Sequence, residues 1–155
     1  MTGKDLIRFA ICVLLWSALY NAATVAAERG NPIVKLKLHN VYYLIELADT
    51  PRRRAIGLMN RPSLEPDAGM LFLYPHAGDR QIWMKNTLIP LTVAWLDDEA
   101  RILRLELLSP CAVDPCPSYG AGVDTRFVLE LHADAYRRFK PGDWLPALLE
   151  LKQPN

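Results

Sequence analysis

The amino-acid sequence predicts a mainly β protein, a small antiparallel barrel or curled sheet with two short helices. Three observations predict it. Short runs rich in leucine, valine, isoleucine and aromatic residues recur along the chain, and most end at Gly, Pro, Asn or Asp. Two of them, Ile33 to His39 and Leu103 to Leu107, alternate apolar with charged side chains, the period of a strand with one face in a core. Helical start signals are few by comparison, and neighbouring strands separated by turns imply hairpins and a mainly antiparallel sheet.

Taken in order, Val34, Leu36 and Leu38 alternate with Lys35, Lys37 and His39, and His39-Asn40 reads as a turn into a second arm from Tyr42 to Ala48. Thr50 as N-cap and Pro51 at the first helical position open a short helix. It ends near Gly57-Leu58-Met59, and Asn60-Arg61-Pro62 breaks it, because the residue before a proline avoids helical angles. Ser63 to Gly69 is a loop, Met70 to Tyr74 a buried strand, and Pro75 to Arg80 a turn. Gln81 to Leu91 reads as extended, which would put Trp83, Lys85 and Thr87 on one face and Ile82, Met84 and Asn86 on the other. Leu91 to Leu96 and Leu103 to Leu107 form strands joined at Asp97 to Ala100, with the three leucines of the second facing the core. After the Pro110 to Gly122 loop come a strand from Val123 to Leu131, a short helix from Ala133 to Lys140 capped by Asp134, and a last edge strand from Trp144 to Leu151.

The N-terminus predicts export. Lys4 and Arg8 precede an uncharged run from Phe9 to Tyr20, shorter than the roughly 20 residues of a membrane span. Val25-Ala26-Ala27 then suits cleavage before Glu28, so residues 1–27 read as a signal peptide and 28–155 as a single domain, periplasmic or secreted. Residues 28–155 carry 16 basic and 16 acidic side chains, a balance that argues against nucleic acid as a partner. Cys111 and Cys116 are the only cysteines of that segment, and an even count in an oxidising compartment predicts a disulfide; no further Cys or His stands at zinc spacing. Arg52, Arg53 and Arg54 oppose the dipole of their helix, so they read as a solvated face or as peripheral contact with an anionic membrane surface.

Several blocks together resemble one family. Gly57-Leu58-Met59-Asn60-Arg61, Gly69-Met70-Leu71-Phe72, Trp83 to Leu91, the Pro110-Cys111 to Cys116-Pro117-Ser118-Tyr119 loop, Leu129-Glu130-Leu131 and Gly142-Asp143 are similar, in order and spacing, to the DUF192 family, also called UPF0127. The resemblance covers about Val34 to Leu151 and implies a small β-rich domain, often exported from bacteria, without an established activity. Two positions depart from it. Family members carry glycine where this chain has Ala100, which predicts a different or strained turn, and a more acidic helix start than Arg52 to Arg54.

The candidate ligand-binding residues are Arg61, Trp83, Lys85, Asn86, Thr87, Met59, Met70 and Met84. Arg61 and Lys85 would take the charged part of an anionic or amphiphilic small ligand or peptide, with Trp83 and the methionines as an apolar wall. Against this stands internal pairing of Lys85 and Arg61 with Glu130 or another carboxylate, and Asn86 pinning a turn before Pro90. No catalytic residue, metal or cofactor is assigned: the serines, histidines and Thr87 form no nucleophile-base set, and Asp97, Glu106 and Glu130 stand on separate strands. The alternatives are an envelope enzyme using Lys85 and Asn86, and copper handling by the three thioethers, although no Met-x-Met or His-Met cluster occurs.

Overall fold

The computed structural model describes residues 30–151, and the expected signal peptide lies outside them. The main sheet has six strands: β1 (Ile33–Leu38), β2 (Val41–Ala48), β3 (Ala68–Gly78), β5 (Leu91–Leu96), β6 (Ile102–Leu108) and β8 (Thr125–His132). A ribbon of β4 (Ile82–Trp83) and β7 (Ser118–Tyr119) lies beside it. The order across the sheet is β1-β2-β3-β8-β5-β6, mainly β as the sequence predicts.

The sheet is open, with β1 and β6 as its edges, so the barrel alternative is not realised. It is also mixed, because β2 and β3 pair parallel. A parallel neighbour needs a crossover, and α1 (Pro51–Ile56) with its following loop supplies it. Thr50 accepts the Arg53 amide at 3.2 Å and Pro51 starts the helix, as the sequence indicates.

The centre of the sheet is covered on both sides. β5 is buried throughout, which explains why Leu91-Thr92-Val93-Ala94-Trp95-Leu96 shows no alternation. One face packs Leu38, Tyr43, Ile45, Leu71, Phe127 and Leu129 against Phe139 and Leu148. The other packs Met70, Phe72, Val93, Trp95 and Val128 against Leu58, Ile82 and Met84. Gly69 permits the close approach of β3 and β8: a Cβ there would lie 2.4 Å from the Glu130 carbonyl oxygen.

Four local expectations are corrected. Before Leu91 opens β5, only Ile82 and Trp83 of the central stretch are a strand; Asn86 has φ +56°, so strict alternation of faces ends there. Trp144 to Leu151 is not a strand: Pro146–Leu151 is a 3-10 helix, since Pro146 has no amide for a ladder. The earlier helix is likewise 3-10, over Ala133–Arg138, and His132 rather than Asp134 caps it by accepting the Asp134 amide at 3.2 Å. Leu103, Leu107 and Val123 are exposed, because β6 is an edge and β8 begins only at Thr125. Ala100 has φ +60° and is fully buried, the strained turn that the sequence departure predicts.

Candidate functional site

A row of side chains crosses the sheet on the face that carries α1 and the β4-β7 ribbon. The register aligns Glu46 of β2 with Met70 of β3, Met70 with Glu130 of β8, Glu130 with Val93 of β5, and Val93 with Glu106 of β6. Directly paired residues share a face, so three carboxylates stand in this row. The outer two are neutralised. Arg61 forks onto both oxygens of Glu46, and Arg104 holds Glu106 through Nε at 2.9 Å and through Nη2. Glu130, between them, is 4% exposed and has no hydrogen-bond partner among the described residues.

Its surroundings decide its protonation. Burial pushes the Glu130 carboxyl up to about 8, and the Arg61 charge pulls it only partly back. At neutral pH it is therefore a carboxylic acid, able to donate a hydrogen bond as well as accept one.

Glu130 opens onto a pocket of about 310 Å³. Gly57, Leu58 and Met59 after α1 form one wall, Phe72 and Tyr74 of β3 another, and Gln81, Ile82, Trp83 and Thr87 the third; Arg54 stands at its edge. Gly57 has φ +51°, and a Cβ there would lie 3.2 Å from the Phe72 ring, so a larger residue would press into that wall. Asn60, at φ +61°, donates its amide to the Asn86 carbonyl at 2.8 Å and so ties the first wall to the third.

The sequence-based candidates are dispersed around this cavity. Met59, Trp83 and Thr87 line it, whereas Met70 and Met84 lie fully buried in the core beneath. Lys85 points away to Asp114, 3.3 Å from its Nζ, with the same nitrogen 5.5 Å from the Trp83 ring centre. Asn86 shapes the turn, and Arg61 is engaged with Glu46. Of the three arginines of α1, Arg53 pairs with Asp49 at 2.6 Å, Arg54 donates to the Leu73 carbonyl at 2.7 Å, and Arg52 is exposed. No group of three His, Cys, Asp or Glu among the described residues could hold a metal ion.

Cys111 and Cys116 are joined in a disulfide, which closes the loop that carries Asp114. Glu130 was the residue that sequence reasoning undervalued. The available signal was a carboxylate inside Phe127-Val128-Leu129-Glu130-Leu131, an otherwise apolar run. Arg54 carries no sequence signal beyond being one of three helix cations.

Comparison with known proteins adds family and fold. The family model DUF192, described as an uncharacterized ACR, matches residues 34–146. No curated protein matches the chain significantly. The chain is similar to a crystal structure described as a proposed transcription regulator from Sinorhizobium meliloti 1021, with 30% identity, a TM-score of 0.66, and coverage of 76% of this chain and 95% of that one. It is similar also to a protein of unknown function from Novosphingobium aromaticivorans DSM 12444, with 29% identity, a TM-score of 0.64, and coverage of 76% and 86%.

Proposed function

This chain belongs to the DUF192 family, and from that premise we propose that it is an exported binding module for a small amphiphilic ligand with an anionic group. The observation that carries the reading is Glu130, a buried carboxyl without a partner, facing a cavity that joins apolar walls to a few polar groups. Its carboxyl opens onto the cavity, where a ligand hydroxyl, carbonyl or carboxylate would give it the hydrogen bond it lacks. Trp83, Met59 and Phe72 offer the apolar body of the ligand a wall, and Arg54 offers its anion a countercharge. A mostly apolar pocket with few convergent polar groups is the usual form of a small-molecule site.

The charged contact moves in this reading from Lys85 and Arg61 to Arg54, since the first two already face carboxylates. A second reading, an enzyme with Glu130 as acid or base, is favoured by a carboxyl that titrates near neutrality. It would show as turnover that disappears in Glu130→Gln while binding persists.

Thermal unfolding against a panel of alkyl phosphates, fatty acids and cell-wall fragments tests the binding reading. A ligand at a hundredfold excess over its dissociation constant stabilises the fold by about 2.7 kcal/mol. A rise in melting temperature that Trp83→Ala and Glu130→Gln abolish supports the pocket; a rise unchanged in both variants places binding elsewhere and overturns it.

A further inference from the structure

Tyr74 is in ring contact with two cations that have no carboxylate. The Arg54 guanidinium carbon is 4.8 Å from the ring centre and that of Arg80 is 4.2 Å from it. Neither arginine forms an ion pair among the described residues. Each is anchored to the backbone alone, Arg54 by Nη1 to the Leu73 carbonyl and Arg80 by Nη2 to the His76 carbonyl, both at 2.7 Å. Elsewhere, Arg53, Arg61, Arg104 and Arg126 each face an acidic partner. The Arg80 Nε, moreover, is buried and unbonded. Contact with one tyrosine ring holds both forks with no carboxylate at either, and two like charges gathered around one ring favour an anion.

Arg54 and Tyr74 line the same pocket as Glu130, and Gln81, next to Arg80, lines it too. Two like charges held by one tyrosine, Arg54 on the pocket lining and Arg80 just outside it, call for a head group of more than one negative charge, and the planar fork of each arginine matches the oxygens of a phosphate. Glu130, nine-tenths buried and unpartnered in the same cavity, gives such a ligand a second polar contact.

We propose that this edge of the pocket seats the phosphoryl head of an amphiphile, with Arg54 and Arg80 holding the phosphate oxygens beside Tyr74 and the apolar chain lying against Trp83, Met59 and Phe72. This rests on the reading of the pocket as a ligand site and names the class of its ligand. Neighbouring Arg126 adds no free charge, because it pairs with Asp98 at 3.4 Å and donates Nε to the Tyr74 carbonyl at 3.1 Å.

The test is titration of the full chain with octyl phosphate, octyl glucoside and inorganic phosphate, followed by calorimetry and by the part of the tryptophan fluorescence that Trp83→Phe removes. Octyl phosphate is expected to bind about tenfold or more tightly than octyl glucoside, the preference that charged hydrogen bonds supply. Arg54→Gln and Arg80→Gln should each erase that preference while octyl glucoside binding stays, and Arg54→Lys should restore part of it. Should Arg80→Gln fail to fold, the two Arg54 variants carry the test. Equal binding of the two octyl compounds overturns the phosphoryl head but leaves the pocket standing. Inorganic phosphate binding as tightly as octyl phosphate overturns the amphiphile in favour of a free anion, and no binding of any of the three removes both the head group and the pocket reading.

Discussion

The guanidinium of Arg61 forks onto Glu46 and not onto Glu130, with Nη2 2.7 Å from the second Glu46 oxygen. Arg61 thereby spends its hydrogen bonds two strands short of the centre of the row, and Glu130 feels only its field. That single choice of partner leaves a neutral acid in the pocket at physiological pH.

The stability of the protein should fall as pH rises. Glu130 titrates near 4.5 when unfolded and about 8 when folded, so across that interval the folded state holds a proton that the unfolded state has released. Its contribution is complete below about 4.5 and is lost progressively as pH rises through about 8. The loss is on the order of a few kcal/mol. Melting curves from pH 5 to 9 should slope downward in the wild type and flatten in Glu130→Gln. Parallel slopes in the two proteins would mean another group controls the profile.

Arg61→Gln should raise the titration of Glu130 further, because the lost charge was pulling it down. The same change leaves Glu46 half-buried without its fork and should cost about 1–3 kcal/mol. Carboxyl NMR of the variant checks the first effect and urea unfolding the second; a Glu130 titration that stays in place would show that Arg61 exerts no field there.

Gly69→Ala should be among the most damaging single changes. The added methyl meets the Glu130 carbonyl at 2.4 Å and Leu131 at 2.5 Å, in the middle of the sheet, where neither strand can retreat. Overpacking of this kind costs about 1–3 kcal/mol or more. A urea midpoint shifted by less than the equivalent of about 1 kcal/mol would show that β3 and β8 part more readily than their burial suggests.

Replacing Cys111 and Cys116 together by serine should cost about 2 kcal/mol, the loop-closure value for so short a loop. Since Lys85 pairs with Asp114 in that loop, the variant should also free Lys85 from its partner. Denaturation with and without reductant measures the first effect, and an unchanged midpoint on reduction would deny the disulfide a stabilising role.

The hairpin β1-β2 was legible because Val34 to His39 alternates cleanly, and α1 because Thr50-Pro51 is a local signal. The parallel pairing of β2 with β3 was not, for the loop that makes it carries no mark of where the chain will return. Gln81 to Leu91 misled the face assignment, since the left-handed turn at Asn86 outweighs the β propensity around it. The apolar run around Glu130 marks it in the sequence, but its meaning depends on a register that sets Glu46 and Glu106 in its row, two strands to either side, and gives each of them an arginine. Ala100 shows the opposite case, where one unusual residue in a turn announced its own backbone angle.

The bond from the Asn60 amide to the Asn86 carbonyl makes a latch of two turns that each depend on an asparagine in the left-handed region. The bond ties the wall that carries Met59 to the wall that carries Thr87, so the Asn60 amide should exchange with deuterium at the frequency at which those two walls part. The breathing of the pocket can therefore be timed at one backbone hydrogen, before any ligand has been identified.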